Sequence, residues 1–250
     1  MTTNSIIKVQ NSVIILAAGL SERMGQPKAF MKWNKHITFL EKLVNEYASF
    51  CSTQIVLVLN NVGYKQVLSS FPAIEKKCKI VLNPNPEKGK MGSLKLGIKS
   101  IQPNTACFVQ NVDNPFTTHE TLNAMNDLVK PDAYVVPVYI PIRNRFEKIP
   151  IGITRSIQLP DPPDLRYWTV RCGTACVCKT DKNEYKGKSG HPVLLGSEIL
   201  KNISLIEKSD FNLRNYLNDY KRIEVISNDD KTIVNINTLN DYQKYFKNEY

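Results

Sequence analysis

Residues 14–30 read IILAAGLSERMGQPKAF. The apolar start is a strand, and Ala17, Ala18 and Gly19 mark its handover to a turn of small residues where backbone can approach closely. Successive N–H groups in such a turn can form an anion-binding nest. Arg23 adds a bidentate phosphate clamp and Lys28 a point charge, a pairing suited to a triphosphate and to the charge that builds in phosphoryl transfer. An ordinary glycine turn with two solvated cations is the competing reading. The stretch has neither the GxxxxGK[ST] of a P-loop nor the GxGxxG of a dinucleotide fold, so those two readings fall away.

Outward from this loop, short β-branched runs alternate with segments of helical period. Strands are predicted near 12–18, 54–59, 79–82, 105–110 and 133–138, and helices near 38–49, 63–70, 91–101 and 117–129. That alternation predicts an α/β fold of three α/β/α layers around a mostly parallel, Rossmann-like sheet, with ligand groups gathered where the strands end. Asn111-Val112-Asp113-Asn114-Pro115 leaves an apolar strand at that edge, and Thr117 or Thr118 can cap the next helix. From about 139 to 189 the pattern breaks into a Pro- and Arg-containing stretch, which reads as an insertion forming a small β subdomain or hairpin arm. The tail is predicted to resume with strands near 222–227 and 232–236 and a closing helix from Thr238. One domain over 1–250 is expected.

The chain carries a formal net charge of +10 and 42% hydrophobic residues. Such a charge fits nucleic acid, an acidic membrane surface or a polyanionic small substrate. No basic stripe interleaved with stacking aromatics is present, which argues against nucleic acid. No apolar stretch approaches the length of a membrane span and no signal-peptide pattern opens the chain, so a cytoplasmic protein without a membrane partner is expected. Six cysteines, Cys51, Cys78, Cys107, Cys172, Cys176 and Cys178, lack zinc-site spacing and read as reduced thiols. His36 and His119 read as surface residues.

Residues 16–28 closely resemble the LAAGxSxRMGxPK signature of the MobA-like nucleotidyltransferases, which have a GT-A-like fold, and within them the branch that matures the molybdenum cofactor. The resemblance implies nucleotide binding by Leu16, Ala17, Ala18, Gly19, Ser21, Arg23 and Lys28. Three further segments match in order. Asn83 to Gly97 is similar to the family's Gly-Met-Ser-Ser-Ser-Leu-x-x-Gly element, which implies that Asn83, Gly89 and Ser93 approach the nucleotide; Lys90, Met91 and Gly92 depart from it. Asp113 stands where the family's Gly-Asp-x-Pro aspartate binds Mg²⁺, and Arg23, Lys28 and Asp113 are then the expected catalytic set. Val234 to Asp241 resembles the family's late Asn/Asp-rich element, so that Asn237, or else Asn235, would complete the metal site. Thr238 and Asp241 also make a helix capping box.

Gly190-His191-Pro192 resembles the Gly-His-Pro-Val-Leu-Phe segment of molybdenum cofactor cytidylyltransferases, which implies an acceptor site. The guanylyl branch reads Leu-Ala-Gly-Gly where this chain has Leu16-Ala17-Ala18-Gly19, and a methyl at Ala18 leaves less room for a purine. CMP transfer from CTP to molybdopterin is the reading these features imply. Two alternatives stay open: a sugar- or polyol-phosphate cytidylyltransferase whose acceptor meets Arg143, Arg145 and Arg155, and a non-catalytic nucleotide-binding accessory protein. A client protein or a second copy of the chain would be further partners.

Overall fold

A computed structural model describes residues 11–50, 54–139, 169–172, 175–178, 188–207 and 211–246. Arg143, Arg145, Arg155 and Cys51 lie outside the described residues, as do the side chains of Cys172, Cys176 and Cys178.

The first half alternates as its sequence predicts. Strands β1 (Ser12–Ala17), β2 (Gln54–Leu59), β3 (Lys79–Leu82), β4 (Cys107–Asn111) and β5 (Ala133–Tyr139) are interleaved with helices α1 (Phe39–Ser49), α2 (Asn61–Ser70), α3 (Pro72–Glu75), α4 (Gly89–Ile98) and α5 (His119–Asn126). The second half supplies β6 (Thr169–Cys172), β7 (Ala175–Cys178), β8 (Lys188–Ser189), β9 (Val193–Leu195), α6 (Ser197–Leu205), α7 (Leu213–Tyr216), β10 (Lys221–Ser227) and α8 (Leu239–Phe246). The sheet order is β3-β2-β1-β4-β9-β5-β10-β7-β6, with β8 on β5. The pairings β3/β2, β2/β1, β1/β4 and β5/β10 are parallel, and short β9 runs antiparallel between β4 and β5. The strands β3, β2, β1, β4, β5 and β10 therefore all end on one edge.

Alternation along β1 shows how the layers form. Val13, Ile15 and Ala17 join the apolar layer containing α1 and α8, while Ile14 and Ala18 join the layer containing α4 and α6. Burying Ile14 and Ile15 completely contributes about 1.5–3 kcal/mol each relative to exposure. Helix α4 lies close on β1 because residue 97 is glycine: a Cβ there would sit 2.6 Å from Ile14 Cγ2. Helix α1 begins with a complete capping box between Thr38 and Glu41. Thr118, not Thr117, caps α5. Cys78 and Cys107 are buried free thiols, pushed up by burial, Cys78 to about 12.

One expectation is corrected. No strand forms at 232–236; a 3-10 turn, Asp230–Ile233, leads into an extended segment whose backbone is held at the strand ends instead of in the ladder. In the described part of the insertion β6 and β7 form a hairpin, and it extends the main sheet from β10. The apolar periods there serve the same sheet, a pairing that local pattern does not specify. Among the described residues, no helix is long and apolar enough to cross a membrane.

Candidate active site

Two joined cavities open at the edge where the parallel strands end, of about 520 and 1050 Å³. The smaller lies over the first loop. Ser21 sits at φ 55°, a left-handed conformation that costs energy for a residue with a side chain. Its hydroxyl accepts the Lys28 N–H at 3.1 Å and its carbonyl the Met24 N–H at 2.8 Å. The chain is thereby folded back so that Arg23 and Lys28 face the same space. Asn60 fixes the other side of the loop: its amide donates to the Ala18 carbonyl at 3.1 Å while its Oδ1 caps α2 at the Gly63 N–H.

Asp113 follows β4 and lines the same cavity. Its Oδ2 lies 3.9 Å from Lys28 Nζ and 4.0 Å from Lys90 Nζ. Its Oδ1 is buried and makes no hydrogen bond. An unpaired buried carboxylate oxygen costs stability unless a ligand uses it. Lys28 Nζ donates to Asn237 Oδ1 at 2.8 Å. Burial is the main force lowering the Lys28 ammonium below its usual range, and Asp113 opposes it.

The tail reaches this place through main-chain contacts. Ile236 N–H donates to the Asp113 carbonyl at 2.7 Å, and the Asn114 amide donates to the carbonyls of Thr232 and Val234 at 2.8 and 2.7 Å. The predicted capping box is present, with the Asp241 carboxylate accepting the Thr238 and Asn237 N–H groups. These bonds hold Asp241 below the usual carboxylate range. Asn237 is thus set beside Lys28, whereas Asn235 is exposed and lines neither cavity. No group of three His, Cys, Asp or Glu residues capable of holding a metal occurs among the described residues. Asp113 and Asn237 bring two side-chain oxygen donors to Lys28 in one cavity, a set suited to a hard cation that keeps most of its shell for water and phosphate.

Of the other residues singled out in sequence, Leu16, Ala17, Ala18, Gly19, Gly89 and Ser93 line the smaller cavity. Asn83 does not. It is buried, and its amide donates to Ser93 Oγ at 2.9 Å, so it positions Ser93.

The larger cavity adjoins at Leu16, Gly89, Lys90 and Asn111, and Gly190 and His191 line it. Pro192 is buried and lines neither cavity. Gly190 is packed so tightly that a Cβ would fall 2.1 Å from the Thr232 carbonyl oxygen. The Asn111 amide pairs with His191 Nε2 at 2.8 Å, which assigns the ring proton to Nδ1. Nδ1 is buried without a hydrogen bond of good geometry, although the Val109 carbonyl lies near enough to favour its proton. Burial lowers His191 to about 4, with Asp113 opposing and Lys90 reinforcing the shift. A neutral imidazole at pH 7 adds no charge to the cavity.

Among the described residues, the cations of this cavity are Lys88, Lys90, Lys188, Arg214 and Arg222, and no carboxylate lines it. The sequence reading gave none of them a role there. Arg222 is held by Glu224 Oε1 and Ser189 Oγ, both at 2.7 Å. Alternation along KRIEVIS puts Arg222 and Glu224 on one face, a signal available in sequence. Asn60 was likewise legible as the first cap after β2.

The MobA-like NTP transferase domain family matches residues 13–223. The chain is 30% identical over 159 residues to the molybdenum cofactor cytidylyltransferase of Escherichia coli (strain K12), an alignment covering 61% of this chain and 77% of that protein. Two solved structures share the fold. The structure of Rv0371c from Mycobacterium tuberculosis H37Rv superposes with a TM-score of 0.65 at 15% identity, covering 99% of this chain and 100% of that one. A nucleotidyl transferase from Methanothermobacter thermautotroptrophicus does so at 0.65 and 16%, covering 94% and 95%.

Proposed function

This chain belongs to the MobA-like NTP transferase family, and from that premise we propose that it transfers CMP from CTP to the phosphate of a small acceptor, molybdopterin in the first instance, releasing pyrophosphate. An acceptor phosphate oxygen forms the new bond to the α-phosphorus, and the bond from that phosphorus to the bridging oxygen breaks, with the electron pair leaving on pyrophosphate. An acceptor phosphate is already nucleophilic, so positioning and charge neutralisation carry the catalysis without a dedicated base.

Arg23 and Lys28 hold the triphosphate over the Ala17–Gly19 turn, and Ser93, set by Asn83, borders the nucleoside side. Asp113 and Asn237 would hold Mg²⁺, which supplies positive charge to the phosphates when bound. The choice of CTP rests on the methyl of Ala18, which is nearly buried yet lines the smaller cavity, and on the E. coli cytidylyltransferase as a relative. Molybdopterin rests on that relative and on the Gly190–Pro192 turn.

The observation that carries the reading is Asp113. Its Oδ1 is buried and unpaired while its Oδ2 faces Lys28 and Lys90, in a cavity that adjoins a second one large enough for an acceptor. The test is pyrophosphate release by the purified protein, with each of the four NTPs and Mg²⁺, against molybdopterin and a set of sugar and polyol phosphates. CTP with molybdopterin is expected to give the fastest release. Preference for a polyol phosphate would move the acceptor and keep the chemistry. Tight NTP binding with no turnover on any acceptor would make the chain a binding protein and overturn the proposal.

A further inference from the structure

Of the described residues shared by the two cavities, Leu16, Gly89, Lys90 and Asn111, only Lys90 is charged. It sits in the first turn of α4, where no acidic residue is found, and the N-cap residue before it, Lys88, makes no side-chain cap. A cation at a helix N-terminus opposes the macrodipole, so this placement carries a local cost. Its ammonium lies 4.0 Å from Asp113 Oδ2 and its side chain is 70% exposed, so packing does not require a lysine there. Position 90 is also where the sequence leaves the Gly-Met-Ser-Ser-Ser element that it otherwise follows.

Resting on the transfer reading above, we propose that Lys90 is the binding group for the acceptor's phosphate. It would hold that dianion at the junction of the cavities and offset its repulsion by the triphosphate. Lys28, fixed by Asn237 on the nucleotide side, cannot serve both anions. His191 borders the larger cavity but stays neutral. Lys90, with an exposed side chain that lines both cavities, is free to turn from Asp113 toward the larger one. The covalent change is the one already written: the phosphate oxygen held by Lys90 attacks the α-phosphorus and pyrophosphate leaves with the electron pair.

The experiment has a binding arm and a turnover arm. In the first, inorganic phosphate is titrated calorimetrically into protein loaded with Mg²⁺ and α,β-methylene CTP, which cannot react. Wild type is expected to bind phosphate, Lys90→Met to weaken it by about tenfold or more, and Lys90→Arg to restore most of the loss. In the second, Lys90→Met is expected to raise the acceptor KM by about tenfold or more and leave the NTP KM within about twofold. Absence of phosphate binding by wild type, equal binding by Lys90→Met, or a rise confined to the NTP KM each overturn the assignment. Lys90-dependent phosphate binding without pyrophosphate release from any acceptor would leave the subsite standing and sink the transfer reading instead. Circular dichroism and the thermal midpoint establish that the variants are folded.

Discussion

The two halves of the cleft are built by different means. The half read above as the nucleotide side hangs on strand-to-loop connections, with the Leu16 to Lys28 loop following β1 and Asp113 directly following β4, and Asn237 reaches it from the tail. The acceptor half, on the reading above, shares the floor of β1, β4 and β5 and the start of α4, but takes its remaining lining from short pieces distant in sequence: the β8–β9 turn, α7 and the start of β10. One half is thus positioned by the sheet itself and the other by tertiary contacts between add-on segments. The first should lose chemistry without losing structure, and the second should lose both together.

Asp113→Ala gives the largest expected effect and tests the first half. Pyrophosphate release should fall by about 10³-fold, the scale seen when a charge-stabilising group is removed from a reacting centre. The thermal midpoint should hold or rise, because the substitution removes a buried oxygen that makes no hydrogen bond. Activity within tenfold of wild type, or a large drop in midpoint, would break the contrast.

Gly190→Ala addresses the second half. The added methyl would lie 2.1 Å from the Thr232 carbonyl oxygen and 2.7 Å from its carbon, backbone atoms that cannot swing aside. The same carbonyl accepts the His191 N–H at 3.3 Å and the Asn114 amide at 2.8 Å, so relief must shift the whole crossing. A loss of about 1–3 kcal/mol in unfolding free energy is expected, on the scale of overpacking. The acceptor KM should rise more than the NTP KM. Steady-state kinetics with each substrate varied separates the halves: equal rises would mean that the 232–237 segment, which also carries Asn237, ties them into one unit.

This division also explains what could be read from sequence. The strands of the first half were legible because SVIILA and QIVLVL are buried along nearly their whole length between two helical layers. The loop chemistry was legible because Arg23 and Lys28 lie in the loop after β1 and Asp113 directly after β4, and the Thr238–Asp241 capping box because its bonds are local. The segment 232–236 was misread as a strand: its apolar alternation satisfies the packing of Ile236 and Thr232 while its main chain bonds to Asp113, Asn114 and His191. No local pattern distinguishes those two uses of an extended chain. The cationic lining of the larger cavity was hidden for a similar reason. Lys188, Arg214 and Arg222 come together only when β8, α7 and β10 meet, and in a chain of net charge +10 each looks like solvated surface.

His191 supplies the smallest expected effect and the sharpest test of how the acceptor half is held. Burial puts its folded-state value at about 4, below the ordinary histidine value of 6.5. Between those values the unfolded chain binds more protons than the folded one, so stability rises with pH there. The contribution is complete above pH 6.5 and is lost as pH falls toward 4. Other carboxylates titrate in the same window, so the informative quantity is the difference in slope between wild type and His191→Asn. Thermal midpoints measured at half-unit steps should fall more steeply toward acid in wild type, by a few degrees over the window, whatever offset the lost Asn111 contact adds at neutral pH. Parallel curves would mean that the ring is solvated and free to charge. The larger cavity would then gain a cation below pH 6.5, and phosphate affinity there would strengthen with acid instead of depending on Lys90 alone.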